Sequence, residues 1–69
     1  MVDTELLESK IEQSGQKKGY LAKRCNLSRA GFRNCEINKA DFTYGHVRIL
    51  CLELNITDPE EEKAIFFTE

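Results

Sequence analysis

Residues 17–36 of the chain are KKGYLAKRCNLSRAGFRNCE, and this stretch decides the fold. Leu21 and Cys25 are four residues apart, so both lie on one face of a predicted helix. Asn26 follows directly, and asparagine is among the few residues other than glycine that tolerate a left-handed backbone. Ser28 is a good N-cap for a new helix. The stretch therefore predicts two helices separated by a sharp turn of about three residues.

Two helices that cross steeply through so short a turn need three kinds of residue. A small residue must lie where the helices touch, a permissive residue must form the turn, and a bulky apolar residue on the second helix must lock the angle. Ala22, Asn26 and Phe32 supply these respectively. Leu21 and Leu27 are predicted to fill the adjoining core positions.

Another helix is predicted ahead of this stretch, over residues 4–14. Leu7 and Ile11 are four residues apart, and charged residues occupy the other faces, so the segment is amphipathic. Asp3 or the first residue of the range can cap its start. Gly15 is suited to end it because glycine adopts the left-handed conformation common after helices.

Two more helices are predicted beyond the stretch. Thr43 caps a fourth, whose apolar residues follow the i, i+3, i+4, i+7 pattern over residues 47–54 and mark it as the buried helix. Asp58 and Pro59 provide an N-cap and a proline at the first helical position for a short fifth helix that ends near residues 66–67. No segment alternates long enough to predict a strand. The expected fold class is all-α with five helices.

The composition is typical of one small folded domain covering residues 1–69, with 41% hydrophobic and 32% charged residues. No apolar run is longer than that of residues 49–52, which is far shorter than the roughly 20 residues of a membrane span. The acidic start of the chain predicts no secretory signal. Three cysteines without such a signal predict free thiols and a cytoplasmic location.

Metal binding and catalysis are not expected. A structural zinc site can be formed by three cysteines and one histidine, and the chain has that number in Cys25, Cys35, Cys51 and His46. Zinc ligands usually come in close pairs, however, whereas these cysteines are ten and sixteen residues apart. Each cysteine falls on an apolar helical face, so core packing is predicted instead. The single histidine has no partners arranged for nucleophilic catalysis. We therefore predict no metal, no cofactor and no enzymatic activity.

Charge is divided unevenly along the chain, whose net charge is −2. Residues 16–39 hold seven basic residues and one acid, Glu36, and so carry +6. The remainder holds three basic residues and eleven acids, and so carries −8. The basic part coincides with the two-helix stretch and favours an anionic partner such as DNA. A merely solvated charged face is the alternative.

The two-helix stretch resembles the lambda-repressor/Cro-like (XRE-type) helix-turn-helix family, in particular small phage or prophage regulators of low-GC Gram-positive bacteria. The resemblance covers roughly residues 6–56 and is closest at KKGYLA, residues 17–22, and NLSR, residues 26–29. It implies a five-helix, lambda-repressor-like DNA-binding domain whose helix-turn-helix spans about residues 17–37.

Three positions depart from the pattern of that family. The family usually has glutamine at the position of Lys18 and glycine at the turn position of Asn26, and it often has glycine at the position of Asn38. Asparagine is physically acceptable in the turn. The lysine can still reach a phosphate.

In this family the helix after the turn enters the major groove, and the helix before it crosses the phosphate backbone. The resemblance implies base contacts by Arg29, Ala30 and Asn34, and we add Arg33 because of its reach and charge. Arginine pairs with guanine, asparagine with adenine, and alanine packs on the thymine methyl. Five residues are expected to hold phosphates: Lys18, Ser28, Asn38, Lys39 and Thr43. The expected function is sequence-specific binding of double-stranded DNA by a Cro/repressor-like transcriptional regulator.

Ile65, Phe66 and Phe67 are consecutive, and a helix cannot turn three successive side chains toward one core. At least one aromatic ring is therefore left over. Two roles are open to it: it can cover the bottom of the first helix, or it can form the centre of a two-fold interface. We favour a homodimer, at least on DNA, that recognises a palindromic operator. The alternative is an antitoxin or anti-repressor that acts mainly by binding another protein through this end of the chain.

Overall fold

Five α-helices follow one another in the computed structural model, which describes residues 1–68. No strand occurs within this range, so the all-α prediction is confirmed. The helices are α1 (Thr4–Ser14), α2 (Lys18–Arg24), α3 (Arg29–Glu36), α4 (Tyr44–Glu53) and α5 (Pro59–Phe66).

Side-chain caps define where four of the helices begin. Asp3 accepts a hydrogen bond from the Leu6 amide at the start of α1, so it is the cap of that helix. Ser28, Thr43 and Asp58 cap α3, α4 and α5 in the same way, as predicted. Each cap satisfies one of the amides that the first turn of a helix leaves without a partner. Only α2 starts without a side-chain cap.

Residues with a left-handed backbone conformation follow several of the helices. Gly15 ends α1 with φ 74°, and Asn26 has φ 58° in the turn after α2. The last helical residue of α2 is Arg24, and Asn26 then reverses the chain so that the Leu27 amide donates to the Ala22 carbonyl at 2.8 Å. The sharp turn predicted at Asn26 is thus present.

The core lies between all five helices. Its fully buried centre includes Leu7, Leu21, Phe32 and Leu50, one residue from each of the first four helices. The Phe42 ring, in the loop before α4, lies edge-on to Phe32 with 5.6 Å between ring centroids. The remaining core members are Val2, Ile11, Ala22, Cys25, Val47, Cys51, Leu54, Ile56, Ile65 and Phe66.

The two ends of the chain meet at this core. The Asp3 amide donates to the Ile65 carbonyl at 2.8 Å, and the Thr68 amide donates to the Met1 carbonyl at 3.1 Å. Ile65 and Phe66 are buried, whereas Phe67 is 48% exposed. The core of the same chain thus covers Ile65 and Phe66, and Phe67 is the aromatic residue that is left over.

The cysteines are buried, as their positions on apolar faces predicted. Burial raises the pKa of Cys51 to about 11 and also raises the pKa values of Cys25 and Cys35. These thiols therefore stay protonated and pack as small apolar groups. Among residues 1–68, no helix is long and apolar enough to cross a membrane.

Candidate nucleic-acid interface

Helix α3 is fixed on one side and open on the other. Phe32 and Cys35 point into the core, and the Ser28 hydroxyl oxygen accepts a hydrogen bond from the Gly31 amide at 2.9 Å. The helix therefore has a defined start and a locked inner side. Four exposed residues form its outer side, which we call the recognition face: Arg29, Ala30, Arg33 and Asn34. The structure thus brings together all four residues predicted to contact bases.

The Arg29 side chain extends across the start of α2. A Cβ placed on Gly19 would lie 3.4 Å from Arg29 Nη1 and 3.6 Å from its Cδ, so the absence of a side chain at Gly19 leaves room for this arginine. Arg29 forms no ion pair with any residue from 1 to 68. Its charge is therefore fully available to an external anion.

The other arginine of the recognition face has weak internal partners. Arg33 Nη1 lies 3.8 Å from Glu8 Oε1 and 4.0 Å from Glu36 Oε1, both at the long limit for an ion pair. The side chain is 57% exposed. Because both contacts are long and the guanidinium group itself is solvated, they contribute little energy, and Arg33 can exchange them for a DNA contact.

Lys18 is more strongly engaged. Its ammonium group donates a hydrogen bond to Glu8 Oε1 and lies 3.4 Å from Glu36 Oε2. The residue is half-buried at the start of α2, directly beside α3. Lys18 thus lies where the phosphate contact was predicted, but two carboxyl groups of the same chain share its charge.

The other predicted phosphate contacts flank α3. Ser28 is exposed, and the free amides near it make the start of α3 a favourable place for an anion. Lys39 is exposed after α3, and its amide donates to the Asn34 carbonyl at 2.8 Å. Thr43 is exposed too, and although its hydroxyl oxygen accepts from the His46 amide, the hydroxyl proton remains available as a donor.

Asn38 has a role that the sequence did not reveal. It adopts φ 67°, its side-chain oxygen accepts from the Val2 amide at 2.8 Å, and its side-chain nitrogen donates to the Val2 carbonyl at 2.9 Å. The side chain therefore ties the N-terminal segment to the end of α3. A phosphate contact would require both bonds to be replaced, so we assign Asn38 a structural role in place of the predicted phosphate contact.

Part of the basic stretch is paired with an acid of the same chain. Arg24 Nε donates to Glu53 Oε2 at 2.8 Å, and the Tyr20 hydroxyl donates to the other oxygen of the same carboxylate at 3.1 Å. The pairing with Arg24 lowers the pKa of Glu53. This group joins α2 to α4, so the +6 of residues 16–39 overstates the charge that is free to attract an anion.

Sequence reasoning missed the most unusual residue of this region. Glu36 is the only buried charged residue among residues 1–68, with 0% exposure. Burial, followed by its contact with Glu8, raises the pKa of Glu36 to about 7. Glu36 lies four residues after Phe32 on the same helical face, so the helical period was the signal that placed it inside.

Comparisons of the chain with protein-family models, with curated proteins and with solved structures give no match. Within residues 1–68 there is also no group of three or more histidine, cysteine or acidic residues arranged to hold a metal ion.

Proposed function

We propose that the chain is a sequence-specific regulator of transcription that binds double-stranded DNA through a helix-turn-helix formed by α2 and α3. The observation that carries the proposal is the recognition face itself. It lies on a helix that is capped by Ser28, locked by the buried Phe32 and preceded by the sharp turn at Asn26. A rigid exposed helix of this kind fits the major groove.

The recognition face offers chemistry that distinguishes base pairs. Arg29 and Arg33 lie one helical turn apart, and each can donate two hydrogen bonds to O6 and N7 of a guanine. Asn34 can pair with adenine, and Ala30 can pack against a thymine methyl group. Arg29 is expected to contribute most to base recognition, because it is exposed and has no ion pair within residues 1–68.

Phosphate contacts on both sides of the groove would hold α3 in register. Lys18 and the start of α3 at Ser28 supply them on one side, and Lys39 and Thr43 supply them on the other. Four such sites per chain support binding that weakens steeply with salt, with a slope of about −0.9 per contact.

Regulation would follow from occupancy, because a bound domain of this size occludes a promoter. We propose a Cro/repressor-like role of the phage or prophage type, exercised in the cytoplasm. A palindromic operator would be bound by two copies. Phe67 and Met1, both exposed near the joined chain ends, are the side chains left available for that contact.

The test begins with selection of bound sites from a random pool of double-stranded DNA. Fluorescence anisotropy then measures Kd for the selected site and for a scrambled site over a salt series. Arg29→Ala is expected to weaken binding to the selected site by about ten- to a hundredfold and to relax the preference for one guanine. Lys63→Ala removes the same charge from an exposed position on α5 and is the matched control.

Two results would contradict the proposal. The first is no enrichment of any site together with no DNA binding at low salt, which would favour a protein partner instead. The second is an equal loss of affinity in Arg29→Ala and Lys63→Ala, because a non-specific charge effect does not distinguish the recognition face from α5.

A further inference from the structure

Four charged side chains from three helices meet beside the recognition face, to which one of them belongs, and we call them the Glu36 cluster. Glu8 comes from α1, Lys18 from α2, and Arg33 and Glu36 come from α3. Lys18 contacts both carboxyl groups, and Arg33 lies 3.8 to 4.0 Å from both. Two cations of the proposed DNA surface therefore lie beside the same two acids, Lys18 in close contact and Arg33 at longer distance.

The protonation state of Glu36 decides whether its carboxyl group forms a hydrogen bond. When Glu36 is a carboxylate, neither of its two buried oxygens accepts a hydrogen bond from residues 1–68. As the neutral acid, it can donate a hydrogen bond to Glu8, and this contact lowers the pKa of Glu8 while raising the pKa of Glu36. Lys18, 3.4 Å away, favours the carboxylate, but the cost of burying that charge without a hydrogen bond and beside Glu8 is larger. The neutral form of Glu36 therefore fits its surroundings better.

No other charged group changes this balance. Across residues 1–68, no side chain of α4 or α5 forms an ion pair with Glu36. Arg29 borders the same surface depression but makes no ion pair with Glu36. From α1, the Thr4 hydroxyl donates to the Glu36 main-chain oxygen at 2.6 Å, which fixes the end of α3 without contacting the carboxyl group.

We propose that Glu36 and Glu8 are positioning residues for Lys18 and Arg33, and that a proton shared by the two carboxyl groups sets how much positive charge these cations present to DNA. This inference rests on the proposed function and adds a mode of regulation to it. With the proton bound, the Glu36 cluster holds two cations and one anion. Without the proton, two cations face two anions and the local charge is cancelled.

The direction of the effect follows from linkage. A DNA phosphate near Lys18 favours the protonated cluster, because the proton removes a competing negative charge. DNA binding therefore takes up as much as one proton per chain, and affinity rises as pH falls through the region of pH 7. The limiting slope is about tenfold in Kd per pH unit and per bound chain.

The experiment measures Kd for the selected DNA site at constant ionic strength from about pH 5.5 to 8.5, a range centred on the raised pKa. The wild-type chain is expected to lose about tenfold or more in affinity across this range. Glu36→Gln imitates the neutral acid, and its affinity is expected to stay high and nearly independent of pH. Glu61 lies on α5 and pairs with Lys10, away from the Glu36 cluster. Glu61→Gln makes the same charge change there and is expected to keep the wild-type pH profile.

Glu8→Gln provides a second variant if Glu36→Gln folds poorly. Removal of the Glu8 charge leaves Glu36 without its like-charged neighbour, so the midpoint of the pH profile is expected to move to lower pH. A merely structural role for these residues would change affinity without moving this midpoint. Side-chain carboxyl carbon shifts in NMR titrations give the midpoint for Glu36 without DNA.

The outcomes separate this inference from the proposed function. DNA binding with the same pH profile in the wild-type chain and in Glu36→Gln overturns the inference and leaves the proposed function standing. If the NMR titration shows that the Glu36 carboxyl group has a pKa near its ordinary value of 4.5, the inference is overturned and the proposed function still stands. Absence of DNA binding at every pH overturns both.

Discussion

At the scale of single residues, Asn26 and Asn38 hold the same backbone conformation for different purposes. Their φ values are 58° and 67°. Asn26 only has to turn the chain between α2 and α3, and the bonds of this turn come from the backbone. Asn38 also uses its side chain, which pairs with both polar groups of Val2. The two positions should therefore respond differently to glycine.

Replacement of each asparagine by glycine tests this difference. Asn26→Gly is expected to change the free energy of unfolding by less than about 0.5 kcal/mol, because glycine adopts the left-handed conformation without strain. Asn38→Gly is expected to destabilise the protein by about 1–2 kcal/mol, because two hydrogen bonds to Val2 are lost. Urea unfolding measures both values, and equal effects would contradict the assigned role of Asn38.

Phe32 is expected to make a large contribution to the stability of the fold. It is 1% exposed and packs edge-on against Phe42, so Phe32→Ala leaves a cavity at the centre of the core. The expected loss is about 3–5 kcal/mol, a large fraction of the stability of so small a domain. Tyr44→Ala, at an exposed position, is the control. An unchanged unfolding midpoint in Phe32→Ala would show that the core is assigned wrongly.

At the scale of elements, α3 combines a structural and a functional requirement at its first turn. The Ser28 oxygen satisfies the Gly31 amide, and the same helix end is a proposed phosphate site. Aspartate caps a helix as well as serine does, but it brings a negative charge. Substitution of Ser28 can therefore separate the stability of α3 from its affinity for DNA.

Two variants of Ser28 make this separation. Ser28→Ala is expected to lower the free energy of unfolding by about 1 kcal/mol. Ser28→Asp is expected to keep the wild-type stability, since its carboxylate caps α3 and interacts favourably with the helix dipole, while DNA affinity falls because the carboxylate repels phosphate. Thermal unfolding and anisotropy measure the two effects. Undiminished DNA affinity in Ser28→Asp would rule out a phosphate at this end of α3.

At the scale of the whole molecule, the helices enclose one carboxyl group, that of Glu36. The pKa of Glu36 is about 7 in the folded chain, against an ordinary value of 4.5. Between these values the folded chain binds more protons at this site than the unfolded chain does. The contribution of Glu36 to stability is therefore fully present below about pH 4.5 and declines as pH rises through 7.

Stability measured against pH tests this contribution. Wild-type stability is expected to fall by about 1–3 kcal/mol from pH 5 to pH 8. Glu36→Gln is expected to show a flatter profile and to be the more stable protein at pH 8. The free energy of unfolding from urea titrations supplies both curves, and parallel curves would contradict a raised pKa at Glu36.

Much of the candidate site followed from local patterns. The exposure of Arg29 and Asn34 was predictable because Phe32 and Cys35 define the inner face of α3, and a helix has only one such face. The pairing of Lys18 with two acids was not predictable, because Glu8 belongs to another helix. Ion pairs between helices depend on how the helices pack, which local periodicity does not describe.

The amino-acid sequence by itself determined where the helices begin, where the chain turns and which faces are apolar, because caps, left-handed residues and helical periodicity act over a few neighbouring residues. Only the tertiary structure decided that Glu36 is sealed from solvent, that Asn38 binds Val2, and that Phe67 is left outside the core. The bonds from Asn38 to Val2 and from Thr4 to Glu36 join residues 36 and 32 positions apart. Such contacts form only when all the helices pack together.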